Sequence, residues 1–207
     1  MKNTQLKDFI RVFPDLFPKT FCDEIIEEYE TNLWAPSKVG DHETLTETRN
    51  SVEIFISHHL SIEQNKEKRL YIDDKIYKLI NSALVDYRKK FDFFSIEIDT
   101  GYSLLKYEKN GQFKEHIDDP FTPNVNEYGV PDPDTLARRQ VSAVVLLNNE
   151  FKGGELSFFR DTYRPTLKTG SCVFFPSNCL FPHQVLPVQE GKRYSIVTWF
   201  KSQSTPK

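Results

Sequence analysis

Cysteine is scarce in this chain of 207 residues, which contains only Cys22, Cys172 and Cys179. The three are widely separated and have no CxxC spacing, so the sequence favours neither a disulfide framework nor a cysteine zinc site. A reducing compartment is therefore the expected environment. The first residues also lack an uninterrupted apolar segment followed by a small-residue cleavage site, and we expect a cytoplasmic protein.

Long apolar runs and an excess of one charge are missing as well. No window approaches the roughly 18 consecutive apolar residues of a membrane-spanning helix. Lys and Arg number 27 against 30 Asp and Glu, which gives a net charge of -3. The sequence thus carries no overall electrostatic signature of a nucleic-acid or anionic-lipid binder, and we expect neither partner. With 38% hydrophobic and 14% aromatic residues, it is typical of a folded globular protein.

Residues 1–93 are predicted to supply supporting strands and helices. Asp8 to Thr20 indicates a short strand followed by a turn, and residues 50–57 alternate as a half-buried strand does. Phe21 to Trp34 carries apolar residues at four-residue steps, which predicts an amphipathic helix. Its predicted buried face consists of Phe21, Ile25, Tyr29 and Leu33. Ser61 to Phe91 predicts a second helix, with an apolar face that includes Leu70, Ile76, Leu79, Ile80, Leu84 and Tyr87.

From Phe94 onward the apolar period changes to two, and about eight short β-like runs are separated by turn residues. This spacing predicts a two-sheet roll over residues 94–201, with the two helices outside one sheet. We therefore expect a mainly β protein with supporting helices and a double-stranded β-helix core, a form of jelly roll related to cupins. The whole chain, 1–207, is predicted to form one domain. The proline-containing stretch Asp119 to Leu136 is predicted to be a lid.

Three side chains suggest a metal site. His116 and Asp118 are two residues apart on a predicted strand, so both project from the same face. His183 begins another predicted strand and provides a third ligand if the two strands are neighbours. Two imidazoles and one carboxylate hold non-haem Fe(II) and leave positions free for oxygen and a chelating cosubstrate. The HxD dipeptide alone is weak evidence, because a histidine at the end of a strand is more often simply hydrogen-bonded. The other histidines are predicted to be surface residues: His42, His58 and His59.

Arg193 and Ser195 provide a second constellation, because they point to the same face of the predicted strand RYSIVTWF. A guanidinium fork beside a hydroxyl suits a carboxylate that is held in a buried pocket. The alternative is that Arg193 is a solvated charge at the edge of a strand.

Several separated motifs together resemble the prolyl 4-hydroxylase branch of the 2-oxoglutarate- and Fe(II)-dependent dioxygenases. They are Tyr107 to Asp118 (YEKNGQFKEHID), Arg139 to Asn148 (RQVSAVVLLN), Gly153-Gly154-Glu155, Gly170, His183 and Gly191-Lys192-Arg193. The resemblance covers about residues 102–200. The run DLFPKTFCDEII more faintly resembles the entry to the first supporting helix of that family, which would extend the match to nearly the whole chain.

The resemblance implies a role for each matching position. His116, Asp118 and His183 would be the iron ligands, and Arg193 would bind the distal carboxylate of 2-oxoglutarate. Tyr107 would line the cosubstrate pocket, whereas Arg139 and Trp199 would contact the substrate or its lid. Tyr107 and Trp199 are equally compatible with packing roles.

The chain departs from the family pattern at one position. Some prolyl hydroxylases have a tyrosine that binds the cosubstrate where this chain has Leu146. Ser195 is the candidate to supply that hydroxyl instead.

The activity implied by the resemblance is hydroxylation of a prolyl residue in a peptide or protein. Molecular oxygen and 2-oxoglutarate would be consumed, and succinate and carbon dioxide released; the expected cofactors are Fe(II), 2-oxoglutarate and also ascorbate. Two alternatives remain open: hydroxylation of a free amino acid or other small molecule, and a catalytically silent binding module with the same fold.

Overall fold

A computed structural model describes residues 4–38, 47–57, 65–96, 98–119 and 138–202. Their helices are a 3₁₀ turn, Leu6–Phe9, and two α-helices, α1 (Lys19–Glu30) and α2 (Lys66–Lys90). Their strands are β1 (Arg11–Phe13), β2 (Ala35–Pro36), β3 (Arg49–Asn50), β4 (Val52–Phe55), β5 (Ile98–Asp99), β6 (Ser103–Tyr107), β7 (Gln112–His116), β8 (Arg139–Leu146), β9 (Phe151–Gly153), β10 (Leu156–Phe158), β11 (Cys172–Pro176), β12 (His183–Val185), β13 (Val188–Gly191) and β14 (Arg193–Lys201).

Two antiparallel sheets face each other and enclose the interior of a roll. The major sheet has the order β1-β11-β8-β14-β6-β4-β2, with β5 also paired to β14. The minor sheet has the order β10-β12-β7-β3, and β9 and β13 form a separate ladder. This arrangement, mostly strand with two helices, confirms the predicted double-stranded β-helix fold class.

The major sheet separates two hydrophobic clusters, because side chains of a strand alternate between its faces. On β8, Val141, Ala143 and Val145 belong to the cluster that contains α1 and α2. Val144 belongs instead to the cluster inside the roll, together with Tyr107, Phe158 and Phe175. The predicted packing of the helices against the larger sheet is therefore confirmed, and the even-numbered side chains of β8 face the roll's interior.

The helices differ from the prediction at their ends. Helix α1 ends at Glu30, and the indole Nε1 of Trp34 donates to the Glu30 carbonyl at 3.2 Å. Leu33 lies beyond the last turn and is 92% exposed, so its assignment to the buried face is wrong. In α2 the buried stripe runs through Ile72, Ile76, Ile80 and Tyr87. Leu70 lies off this stripe and is exposed, which corrects the second predicted face.

The sequence pattern did not predict β9 or β13 as strands of their own. The predicted strand beginning at His183 is divided into β12 and the start of β13, and β13 pairs with β9. Of the predicted lid only Asp119 lies within the described residues, and His42, His58 and His59 lie outside them. Among the described helices, none combines the length and apolarity needed to cross a bilayer.

Candidate metal centre and cosubstrate pocket

The minor sheet brings the three predicted ligands together. β7 ends at His116 and β12 begins at His183, and these two residues are direct cross-strand partners. Asp118 follows β7 two residues after His116 and returns to the same side. One potential ligand atom from each of His116, Asp118 and His183 lies within 4.8 Å of the others. This is the only such cluster of three or more potential metal ligands in the described part of the chain.

Backbone carbonyls orient both imidazoles. His116 Nδ1 lies 2.8 Å from the Lys114 carbonyl oxygen, and His183 Nδ1 lies 3.1 Å from that of Phe181. Because a carbonyl only accepts, each Nδ1 donates, and the lone pair of the neutral ring is on Nε2. Each Nε2 lies 3.5 Å from an oxygen of Asp118. Both lone pairs therefore lie beside the carboxylate, as a shared cation requires.

Asp118 is buried, and a pair of serine hydroxyl groups fixes the position of its carboxylate. Ser142, on the inward face of β8, donates to Asp118 Oδ2 at 2.6 Å, and its Oγ lies 2.8 Å from that of Ser177. Burial opposes the charge of Asp118, but the two histidines and Ser142 outweigh it and hold the pKa of this carboxyl well below its usual range. The ligand set thus presents an anionic carboxylate with one oriented oxygen.

His183 lies in an apolar surrounding. Its ring centroid is 4.7 Å from that of Phe175 and 5.6 Å from that of Phe158. Burial lowers the pKa of His183 to about 4, with the charge of Asp118 opposing that effect. The ring is therefore neutral at physiological pH, which is the form that binds metals. Two neutral imidazoles and a carboxylate are a donor set that fits Fe(II).

Arg193 lies at the start of β14 opposite its cross-strand partner Tyr107 and is 1% exposed. Its Nη1 donates to Ser195 Oγ at 2.7 Å, while Nε and Nη2 are buried without a hydrogen-bond partner. The two unpaired groups belong to one edge of the guanidinium and match the two oxygens of a carboxylate. Burial opposes the charge and lowers the pKa of Arg193, with Tyr107 acting in the other direction. A buried cation with an unpaired edge calls for an anionic ligand.

One cavity joins the metal ligands to Arg193. Among its lining residues are seven of the predicted site residues: Tyr107, His116, Asp118, His183, Arg193, Ser195 and Trp199. Arg139 lies at its edge, where Nη1 donates to the Asp118 carbonyl at 2.9 Å and the guanidinium carbon lies 3.9 Å from the Trp199 ring centroid. The described structure thus brings every predicted site residue to one place. Leu146 lines a neighbouring cavity, which Arg193 also lines.

Sequence reasoning missed four residues of this site. Ser142 and Ser177 support Asp118, and Arg49 and Phe113 line the cavity. A serine on the inward side of an otherwise apolar strand was an available signal for Ser142. No local pattern indicated Arg49, because β3 meets β7 through a pairing between distant parts of the sequence.

Part of the chain is similar to a known protein family. Residues 102–201 match the family model described as 2OG-Fe(II) oxygenase superfamily. No curated protein shows significant sequence similarity to the chain.

Among solved structures, the chain is similar to a Trichoplax adhaerens prolyl hydroxylase in complex with a peptide fragment of the hypoxia inducible factor oxygen degradation domain. The TM-score is 0.70 at 16% identity, over 93% of this chain and 83% of that one. A viral collagen prolyl hydroxylase from Paramecium Bursaria Chlorella virus-1, in complex with 2OG, gives 0.62 at 17% identity over 94% and 96%. A Pseudomonas putida prolyl-4-hydroxylase gives 0.64 at 18% identity over 94% and 92%.

At these identities the structural similarity establishes the fold, and the family model identifies the region that contains the ligand cluster. Residues 102–201 therefore match the 2OG-Fe(II) oxygenase superfamily, and the described chain shares the fold of these prolyl hydroxylase structures.

Proposed function

We propose that this protein is a 2-oxoglutarate- and Fe(II)-dependent dioxygenase that hydroxylates a prolyl residue in a peptide or protein. The observation that carries the proposal is the coexistence, in one cavity, of the His116, Asp118 and His183 cluster and the unpaired edge of Arg193. The first provides the ligands of a non-haem iron, and the second provides a carboxylate receptor at a buried position.

His116, Asp118 and His183 would hold Fe(II). Bound iron supplies the oxidative chemistry, in which 2-oxoglutarate, oxygen and a substrate C–H group give succinate, carbon dioxide and the hydroxylated substrate. The protein's contribution is to orient both Nε2 atoms through the carbonyls of Lys114 and Phe181, and to keep Asp118 ionised. These contacts fix the ligands before a metal arrives, which lowers the cost of binding it.

Arg193 would bind the distal carboxylate of 2-oxoglutarate through Nε and Nη2. Ser195 holds the opposite side of the guanidinium, and Tyr107 lies beneath it, with the guanidinium carbon 5.3 Å from the ring centroid. Apolar side chains form much of the remaining wall, among them Val144, Leu156 and Val185. A cosubstrate in this cavity would be shielded from water, which strengthens its ion pair with Arg193.

A prolyl substrate is supported by the cavity mouth and by the named relatives. Arg139 stacks on Trp199 and is hydrogen-bonded to the backbone of Asp118, so a cation and an aromatic surface are fixed beside the metal ligands. An aromatic face suits a pyrrolidine ring, and a guanidinium suits a peptide carbonyl. The three similar structures named above are prolyl hydroxylases, and the one from Trichoplax adhaerens is bound to a peptide. Ascorbate as reductant stays a prediction.

The test is to supply the iron-loaded protein with oxygen, 2-oxoglutarate and a library of proline-containing peptides, with free proline and other amino acids in parallel. We expect peptide products that have gained one oxygen atom at proline, together with succinate. If a free amino acid is oxygenated and no peptide is, the result would refute the peptide substrate and support the small-molecule alternative. Absence of succinate under every condition would favour the silent binding module. An Asp118→Ala variant is the control for adventitious iron chemistry.

A further inference from the structure

The two histidines of the proposed metal site are held in different ways. His183 is buried between Phe158 and Phe175, in the hydrophobic cluster inside the roll. His116 is half-buried. The Phe113 ring is stacked on its imidazole, whereas the His183 ring is tilted against it by 55°. The Phe113 and His116 ring centroids are 3.5 Å apart, with an interplanar angle of 15°. One face of His116 is therefore covered by a ring that is itself only half-buried.

Arg49 covers that ring in turn. It lies on the short edge strand β3 and is the direct cross-strand partner of Phe113 on β7. Its guanidinium carbon lies 4.8 Å from the Phe113 ring centroid. Because the imidazole occupies one face of Phe113 at van der Waals distance, the guanidinium lies over the other face. The order in space is thus Arg49, Phe113, His116.

Arg49 is itself fixed in position. It is 8% exposed, its Nη1 donates to the Lys38 carbonyl at 2.7 Å, and its Nη2 donates to Glu53 at 3.3 Å. These two bonds anchor the guanidinium plane over the ring. Its Nε is buried without a hydrogen-bond partner, and the residue lines the same cavity as the ligand cluster. Anchoring a long cation over an aromatic face restricts the rotation of that ring.

We propose that Arg49 and Phe113 are positioning residues that hold the His116 ring in its metal-binding orientation. The proposal rests on the proposed function, since it concerns the same metal site. The Nδ1 bond to Lys114 fixes one point of the imidazole, and the stack fixes its plane. A ligand that keeps its orientation without the metal loses less freedom when the metal binds. Arg49, which lies outside the part matched by the family model, would thereby contribute to metal affinity.

The experiment measures Mn(II) affinity by electron paramagnetic resonance titration of the full chain without oxygen. Phe113→Leu should weaken Mn(II) binding by about tenfold to a hundredfold, the range for partners that orient metal ligands. Phe113→Tyr, which keeps the ring, should bind within about twofold of wild type. Arg49→Met should weaken binding less than Phe113→Leu, and adding it to Phe113→Leu should cause no further loss, because Arg49 acts through the ring.

The chain offers a matched control at the far edge of the major sheet. Phe13 is a half-buried strand residue, and the guanidinium carbon of Arg11 lies 5.7 Å from its ring centroid. Phe13→Leu and Arg11→Met remove the same kinds of group away from the ligand cluster and should leave Mn(II) affinity unchanged. Thermal unfolding of each metal-free variant identifies those that are folded, and Phe113→Tyr tests the proposal with minimal disturbance.

The outcomes separate the two proposals. Failure of the wild-type chain to bind Mn(II) would overturn the proposed function itself. Normal metal binding by wild type and by Phe113→Leu would overturn only the positioning role. Equal losses in Phe113→Leu and Phe13→Leu would overturn it as well, because the effect would then be one of general stability. If Arg49→Met lowers Mn(II) affinity by the same factor in the Phe113→Leu background as in wild type, Arg49 does not act through the Phe113 ring, and its positioning role is overturned.

Discussion

Replacing Arg193 by methionine should abolish tight binding of 2-oxoglutarate and yet leave the cosubstrate-free fold at least as stable as before. The side chain is 1% exposed, and no described carboxylate pairs with it. The buried charge of Arg193 therefore lowers the free energy of unfolding of the cosubstrate-free protein. Methionine fills a similar volume without a charge, so the substitution separates the binding role of Arg193 from any packing role.

The binding loss follows from the two unpaired groups, Nε and Nη2. A hydrogen bond to a charged group contributes about 1.5 to 3 kcal/mol, so loss of two costs at least roughly 3 kcal/mol, or about a hundredfold or more in Kd. In the empty protein, the lost bond from the charged guanidinium to Ser195 costs about 1.5 to 3 kcal/mol. Removal of a buried unpaired ion offsets this, since its burial costs several kcal/mol. The free energy of unfolding should therefore stay equal or rise.

Arg69→Met is the matched control. Arg69 is also buried, but its Nε lies 2.9 Å from Oε1 of Glu28, which is buried as well. Removing this arginine leaves Glu28 with the half-exposed Lys68 as its remaining cationic partner, at 3.3 Å. Breaking a buried pair is strongly destabilising, so this variant should lose roughly 3 kcal/mol.

The assay is urea unfolding of the three metal-free proteins, followed by thermal unfolding with Mn(II) and increasing 2-oxoglutarate. Wild type and Arg69→Met should be stabilised by the cosubstrate, and Arg193→Met should not. The reasoning is refuted if Arg193→Met is destabilised as much as Arg69→Met, or if it binds 2-oxoglutarate as wild type does.

Three further predictions concern the same cavity. His183→Ala and Asp118→Asn should each lose stoichiometric Mn(II) binding, measured by metal analysis after gel filtration. Stoichiometric Mn(II) in both variants would refute the assignment of these residues as metal ligands. Because burial lowers the pKa of His183 to about 4 from 6.5, the unfolded chain binds a proton that the folded chain does not. The free energy of unfolding of the metal-free protein should therefore be fully retained above pH 6.5 and fall as the pH drops towards 4, and His183→Gln should flatten this dependence. Trp199→Ala and Arg139→Ala should lower peptide hydroxylation more than uncoupled succinate formation; equal losses would argue against peptide contact.

Strand alternation explains why much of the site could be predicted. His116 and Asp118 share a face because they are two residues apart, and Arg193 and Ser195 share one for the same reason. The cross-strand pairing of His116 with His183 could not be predicted from strand alternation, because the sequence of neither strand specifies the register between them. The order of the family motifs supplied that information.

The parts that could not be predicted depend on long-range contacts or on weak local preferences. Arg49 reaches the site through the pairing of β3 with β7, and nothing around it in the sequence specifies that partner. Leu33 continues the four-residue apolar spacing of α1, yet the helix ends at Glu30. Periodicity indicates which face a helix would bury but not where it stops, since the end depends on local capping contacts. The β9 and β13 ladder was missed because its strands are short.

The central claim is that this chain couples the oxidation of 2-oxoglutarate to iron held by His116, Asp118 and His183. The most direct measurement is succinate formation by the Fe(II)-loaded protein under oxygen, compared with His183→Ala prepared in the same way. The account predicts catalytic succinate and carbon dioxide in equal amounts from wild type, and none above background from the variant. Equal succinate formation by both proteins, or none from iron-loaded wild type at any 2-oxoglutarate concentration, would contradict it.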